Sequence, residues 1–305
     1  MAAIDNFNKE PLVSVIVNCF NGEKYLDDCL NSIIFQSYKN WELIFWDNQS
    51  TDNSKKIFNK FKDERFKYFL SPRHTYLYEA RDLAIQKSKG EYFAFCDVDD
   101  YWSNKKLEIL LPLFKNDKIG IVYSNQWMLN DKDKKKRKRI NYLLPRGDIS
   151  KRIIFEQPIT INTAIIKKSL YLSLKEGFNK KFQIIGDYDF LVRVSKKCLF
   201  DCVQEPLTFY RLHEDNFTKK NRETEVKELE DWIKEIQNID HLLSNKELKL
   251  INELILYKKT IILILKKEKL KSLTHILKFP NNFKKLKLFL ALLMPEAILR
   301  KIKEF

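Results

Sequence analysis

Three carboxylates in four positions, Asp97-Val98-Asp99-Asp100, close an apolar run, Tyr92–Cys96. Their charges repel and resist burial, so a fold that keeps them together commonly supplies a cation. Hard oxygen ligands suit Mg²⁺ or Mn²⁺, which complete their shell with phosphate oxygens of a substrate. A helix start rich in acids, favoured by the helix dipole, explains the same letters equally well. Asp47 ends a second apolar run, Trp41–Trp46, where a carboxylate could accept hydrogen bonds from a nucleobase or ribose; an ordinary polar turn is the plainer alternative. Arg81 lies in a helical stretch and could meet a phosphate or merely pair with a surface acid. Asp187 and Asp189 follow Gly186 behind Phe182–Ile185, where a carboxylate could remove a proton as general base or simply cap a helix.

Such residues meet only if strand ends converge. Leu12–Val17 is a continuous, largely β-branched apolar run, the mark of a strand covered on both faces, and Asn18–Gly22 breaks it. Glu23–Gln36 has a helical period, Trp41–Trp46 is the next strand, and Ser50 or Asp52 could cap a helix reaching about Lys62. A strand at Phe66–Leu70, a helix over about Leu77–Lys89 and a strand at Tyr92–Cys96 follow, with Gly90 where a left-handed helix cap is usual. This alternation predicts an α/β fold with a parallel-cored sheet, whose ligands bind beyond the carboxyl ends of the strands. The loops after Val17, Trp46 and Cys96 all lie at such ends. Downstream the pattern predicts a helix near Leu107–Phe114, strands at Gly120–Asn125, Thr163–Lys167 and Asp201–Arg211, and helices near Asp148–Phe155, Lys168–Leu174 and Asp187–Lys196. From about Thr218 onward it is helical, which divides the chain into 1–218 and 219–305.

Composition narrows the class. The 305 residues are 44% hydrophobic and 13% aromatic, which excludes a disordered or collagen-like chain. The net charge of +15 suggests nucleic acid, an anionic membrane or a phosphorylated ligand. Residues 241–305 hold 15 Lys/Arg against 5 Asp/Glu, a net of +10, and Asp131–Arg139 holds 7 against 2, a net of +5. The rest is therefore balanced, and the basic residues lie away from the strand-end loops, which argues against a nucleic-acid binder. The run at Asp131–Arg139 reads as a hairpin loop, either simply solvated or facing an anionic partner. In 282–305, Phe283, Leu286, Leu290, Leu293 and Ile298 interleave with Lys284, Lys285, Lys287, Arg300 and Lys303. That amphipathic pattern fits peripheral contact with the inner face of a membrane, or an apolar stripe packed on its own domain. No uncharged stretch approaches the roughly 20 residues of a spanning helix. The N-terminal MAAIDNFNKEP shows no secretion signal, and five cysteines in apolar runs suit reduced thiols, so a cytoplasmic location is expected.

Taken in order, the motifs resemble those of the family 2 glycosyltransferases, inverting enzymes of the GT-A nucleotide-diphospho-sugar transferase fold. Val13–Asn21 is similar to the family's "VSVIIPxYN", Tyr25–Glu42 to "YLxxCLxSIxxQxYxNxE", Asp47–Ser54 to "DxxSTDNS" and Gly90–Trp102 to "GEYxxFxDxDDxW". Ile185-Gly186-Asp187 resembles the general-base motif, and Phe209–His213 the "YRxH" segment. The resemblance implies a mostly parallel central sheet flanked by helices, a nucleotide-sugar half at about 11–115, an acceptor half at 116–218 and a C-terminal helical extension. It implies that Asn18, Phe20, Asp47 and Arg81 hold the donor, with Asp97 and Asp99 gripping ribose and diphosphate. Asp99, Asp100 and His213 would hold Mn²⁺ or Mg²⁺, and Asp187 would deprotonate a hydroxyl of a glycan or lipid-linked saccharide. A nucleotidyltransferase that makes sugar nucleotides would normally carry a Gly-rich basic loop after the first strand, and Asn18–Gly22 is not one. Departures from the pattern are Asn18 for Pro, Asn48 for a second Asp, His74-Thr75-Tyr76 for Asn-x-Gly, and Asp82 for the Asn after Arg81.

Overall fold

The computed structural model describes residues 10–237, 243–280 and 283–294. The chain divides into two compact units, Met1–Glu214 and Asp215–Phe305.

The first unit is built on one mixed sheet. Strands β1 (Val13–Cys19) and β2 (Trp41–Asp47) are apolar on both faces because both faces are covered, and almost every residue in them is buried. Strands β3 (Phe66–Leu70) and β4 (Tyr92–Phe95) run parallel to them, in the order β3-β2-β1-β4. Helix α1 (Leu26–Ile34) turns Leu26, Cys29, Leu30 and Ile33 onto this core. The sheet continues through β8 (Ala164–Lys167), β6 (Ile119–Asn130), β9 (Leu199–Leu212) and β5 (Tyr101–Trp102), and β7 (Lys136–Lys138) pairs with β6. Helix α3 (Leu77–Ile85) precedes β4, α5 (Ser150–Glu156) and α6 (Lys168–Leu172) flank β8, and α7 (Gly186–Ser195) precedes β9. The basic run begins as the hairpin turn after β6, where its position suggested a hairpin, and continues as β7 itself.

Some expected boundaries move for identifiable reasons. Helix α2 (Ser54–Phe58) stops well short of Lys62, and Phe58 and Phe61 turn onto Phe66 instead. Helix α3 ends at Ile85 rather than Lys89, because the chain leaves it to bond the neighbouring strands. The Gly90 N–H donates to Ser14 Oγ at 2.8 Å, and the Lys89 N–H to the Glu42 carboxylate. Gly90 is not a left-handed cap: among the described glycines only Gly147 has positive φ. Its role is space, since an added Cβ would lie 2.5 Å from the Ser14 backbone nitrogen. The helix after Trp102 is likewise short, α4 (Lys106–Leu110) followed by a single 3₁₀ turn.

The second unit is helical, with α8 (Phe217–Lys220), α9 (Arg222–Gln237), α10 (Asn245–Leu265), α11 (Lys269–Leu277) and α12 (Phe283–Leu293). Ser244 opens α10 with a reciprocal capping box to Glu247. Lys258–Glu225 and Lys259–Glu230 ion pairs join α9 to α10. Ile261, Ile264, Ile276, Phe279, Leu288 and Ala291 form a small core of their own. Among the described residues no helix is long and apolar enough to cross a membrane.

Candidate active site

Strands β1, β2 and β3 end level with one another, and β4 ends three residues short of β1, its Phe95 paired with Ile16. Cys19 pairs with Asp47 across β1 and β2, and the Cys96 N–H beyond β4 donates to the Ile16 carbonyl at 3.0 Å. The loops that leave them are stapled together by the side chains of the 47–54 segment. Ser50 Oγ accepts from the Asn21 N–H, Ser54 Oγ from the Gly22 N–H and Asp52 from the Glu23 N–H, each at 2.9–3.0 Å. Gly22 in turn lies against Val98: a Cβ there would come 2.5 Å from Val98 Cγ2. Small and polar residues at these positions thus hold three strand-end loops in register.

Asp47 is buried, and the protein takes both of its oxygens. Oδ1 accepts from the Ser50 N–H at 2.7 Å and Oδ2 from the Tyr68 hydroxyl at 2.6 Å. Asn18 is different. Its Nδ2 is a buried donor with no hydrogen-bond partner among the described residues, a state that costs about 1–3 kcal/mol unless something else accepts the bond. Beside it Phe20 is half exposed, with the His74 ring 4.4 Å away between centroids.

The acidic loop splits into three roles. Asp97 Oδ1 receives the Arg81 guanidinium at 2.5 Å; Arg81 is buried and ringed by Tyr78, Phe95 and Phe178 at 5.3–6.0 Å. Asp99 Oδ2 lies 3.0 Å from His213 Nε2, and both side chains keep some exposure. Asp100 is fully buried, and its oxygens accept from the Arg211 N–H at 3.0 Å and the Asn162 side-chain amide. Burial, then the charges of Asp99 and Asp97, push its carboxyl well above the usual range. Asp100, with each oxygen bonded to the protein, braces the loop, while Asp99 and His213 keep some exposure and offer a carboxylate and an imidazole to a divalent cation. One carboxylate oxygen and one imidazole nitrogen, completed by phosphate oxygens, suit Mn²⁺ or Mg²⁺.

On α7, Asp187 is half-buried. Its Oδ1 is held by the Tyr188 N–H at 2.8 Å and the Tyr78 hydroxyl at 3.2 Å, and no bond to Oδ2 is present among the described residues. Tyr78 also donates to the Ile184 carbonyl at 2.7 Å, and its ring lies against Gly186, where a Cβ would come within 2.4 Å. Burial raises the Asp187 carboxyl above its usual range, and the Arg81 charge offsets only part of that. Asp189 does something else: it pairs with Arg193 one turn along α7 at 2.7 Å.

Matched against known families, residues 14–174 correspond to the one described as "Glycosyl transferase family 2". The chain belongs to that family. A family relative in Haemophilus influenzae, named an uncharacterized glycosyltransferase, is 33% identical over 214 residues, 67% of this chain and 66% of that one. An Escherichia coli family protein named UDP-Glc:alpha-D-GlcNAc-diphosphoundecaprenol beta-1,3-glucosyltransferase WfgD is 32% identical over 120 residues, 39% of this chain and 47% of that one. The matches thus span about half to two thirds of these relatives' length. Among solved structures, the mannosyltransferase PcManGT from Pyrobaculum calidifontis, in complex with GDP-Man and Mn²⁺, superposes with a TM-score of 0.63. At 14% identity over 97% of this chain and 85% of that one, the likeness concerns the fold.

The family 2 match ends at residue 174, before Asp187 and His213. Several residues around the site drew no notice in the sequence. Lys106 is fully buried, lies 3.8 Å over the Trp102 ring and donates to the Asn162 carbonyl; burial pushes its amine down to about 7. The Tyr210 phenol lies in the field of Asp97, Asp99, Asp100 and Asp187, and burial with those charges raises it. Neither Lys106 nor Tyr78 has a spacing that separates it from a core residue. Two of the departures from the family 2 pattern, Asn48 and Thr75, are partners of one another. Asn48 Nδ2 donates to the Thr75 carbonyl at 2.7 Å, while its Oδ1 accepts from the Thr75 N–H and hydroxyl at 3.2 and 3.1 Å. Asp82 is buried and accepts from the Tyr171 hydroxyl and the Phe178 N–H.

Proposed function

We propose that this chain moves a sugar from a nucleotide-diphosphate donor to a hydroxyl of a glycan or lipid-linked saccharide, inverting the anomeric carbon in one displacement. One observation carries the reading. Tyr78 and Arg81, three residues apart on α3, connect the two halves of the chemistry: Tyr78 bonds Asp187, and Arg81 bonds Asp97. A single helix thereby sets the candidate base at a fixed distance from the acidic loop that would carry the diphosphate.

In the reaction, Oδ2 of Asp187 removes the acceptor proton while Oδ1 stays anchored. The acceptor oxygen forms its bond to the anomeric carbon as the bond to the donor phosphate breaks, and the nucleoside diphosphate departs. A raised carboxyl suits the task, because it is a stronger base than a surface aspartate. Asn18 Nδ2 offers its unmatched donor to the nucleotide, and Phe20 with His74 offers apolar ring surface to a base. Arg81 holds Asp97 turned toward the donor. Mn²⁺ or Mg²⁺ at Asp99 and His213 would supply Lewis-acid stabilisation of the charge that develops on the leaving diphosphate. No covalent sugar intermediate is needed, so a second carboxylate close to the sugar is not required.

The lipid-linked acceptor is supported by the activity for which the E. coli relative is named. Such an acceptor puts the enzyme at the inner face of a membrane, and the basic 282–305 segment is the expected contact; Asn282 and residues 295–305 lie outside the described residues. The deciding experiment is a calorimetric screen of nucleotide sugars with and without Mn²⁺, followed by transfer assays with the donor that binds. Inverted product stereochemistry is expected by NMR, and Asp187→Asn should keep donor binding while losing transfer. Transfer retained by that variant would sink the base assignment.

A further inference from the structure

We propose that α11 and α12 together form a docking face for an anionic lipid surface. Each helix has two apolar stripes. One is spent on the core: Ile276 of α11, and Leu288 and Ala291 of α12, are all buried. The other stripe faces solvent. Leu270, Leu273 and Leu277 of α11 are 83%, 36% and 60% exposed, and Leu286, Leu290 and Leu293 of α12 are 53%, 48% and 80% exposed.

Spacings of three, four and seven residues place each leucine trio on one side of its helix, away from the buried residues. Exposed leucines in isolation need no explanation, but three along one side of each of two helices that share a core are apolar surface of the kind that marks an interaction site. Charge identifies the partner. Between Lys266 and Met294 there are eight lysines and one acid, Glu268. On the helical wheel lysines border the leucine trio on both sides, Lys269 and the C-cap Lys278 for α11 and Lys285 and Lys287 for α12. An apolar face rimmed by lysines complements acyl chains beneath anionic headgroups. A second copy of this face would bring lysine against lysine, which disfavours self-association. The amphipathic segment at 282–305 is thus only part of the surface, and α11 supplies the rest. This deepens the proposed function, since a lipid-linked acceptor lies in the same surface. Flotation requires neither donor nor acceptor, so its outcome is separate from that of the transfer assay.

The test is flotation of the full chain with phosphatidylcholine vesicles, with and without phosphatidylglycerol. Binding is expected only to the anionic vesicles, and it should weaken as salt rises. The pair Leu270→Gln/Leu277→Gln in α11 should reduce the bound fraction about tenfold, as should Leu286→Gln/Leu290→Gln in α12. These residues are exposed, so helix content by circular dichroism should not change. Undiminished flotation of the α11 pair would overturn the two-helix face. So would a parent chain that ignores anionic vesicles, or one that forms a dimer dissolved by the same substitutions.

Discussion

Asp187 and Tyr78 are where the chemistry can be tested one atom at a time. Asp187→Asn keeps size and removes the base, so kcat should fall by about 10²–10⁴-fold with nucleotide affinity unchanged. The same variant should be more stable at pH 7–8. The native carboxyl is raised, so the folded state favours its protonated form, and ionisation above that raised value costs the wild type stability that the amide does not lose. The advantage in thermal midpoint should shrink as pH falls through the raised value and vanish below the unfolded carboxylate range. Tyr78→Phe removes the hydroxyl whose single proton is shared between the Ile184 carbonyl at 2.7 Å and Asp187 Oδ1 at 3.2 Å. At about 0.5–1.5 kcal/mol per bond, kcat should drop about 3- to 10-fold with little change in donor KM. Because Tyr78 stabilises the charged carboxylate, its loss should move the acid limb of the pH–rate profile upward; an unmoved limb would mean that Tyr78 is only structural.

Elements, rather than single residues, explain why the strand-end loops stay in place. The segment Asn48–Ser54 bonds the loop after β1, and Asn48 bonds the strand of chain that leads into α3. An amide can both donate to the Thr75 carbonyl and accept from its N–H, which a carboxylate cannot. Asn48→Asp, although it restores the commoner family residue, should therefore destabilise the fold by about 1–3 kcal/mol in urea unfolding and raise donor KM. The acidic loop has a similar brace behind it: Asp100, Asn162 and Lys106 bond in series, with Arg211 of β9 closing the set. A motif that reads as three equivalent carboxylates thus holds one wall residue, one partner for arginine and one candidate metal ligand.

At the scale of the whole molecule, every proposed catalytic and donor-binding residue lies within Met1–Glu214, and the excess charge of the C-terminal region lies in Asp215–Phe305. A chain cut after Thr218 should bind the donor nucleotide with unchanged affinity in calorimetry and lose flotation with anionic vesicles. Much of this was legible without coordinates. The apolar runs of β1, β2 and β4 and the spacing of the motifs determined the sheet, the strand-end loops and the family, because burial on both faces leaves a pattern in the letters themselves. The helices expected to reach Lys62 and Lys89 end at Phe58 and Ile85, because contacts with residues distant in sequence, such as Gly90 with Ser14, cut them short. Only the tertiary structure could divide Asp97, Asp99 and Asp100 into different roles, since identical side chains differ by which partner reaches them across the fold. Only it could enlist Tyr78 and Lys106, or separate buried from exposed leucines in α11 and α12. Those distinctions belong to long-range contact, and local sequence carries no record of it.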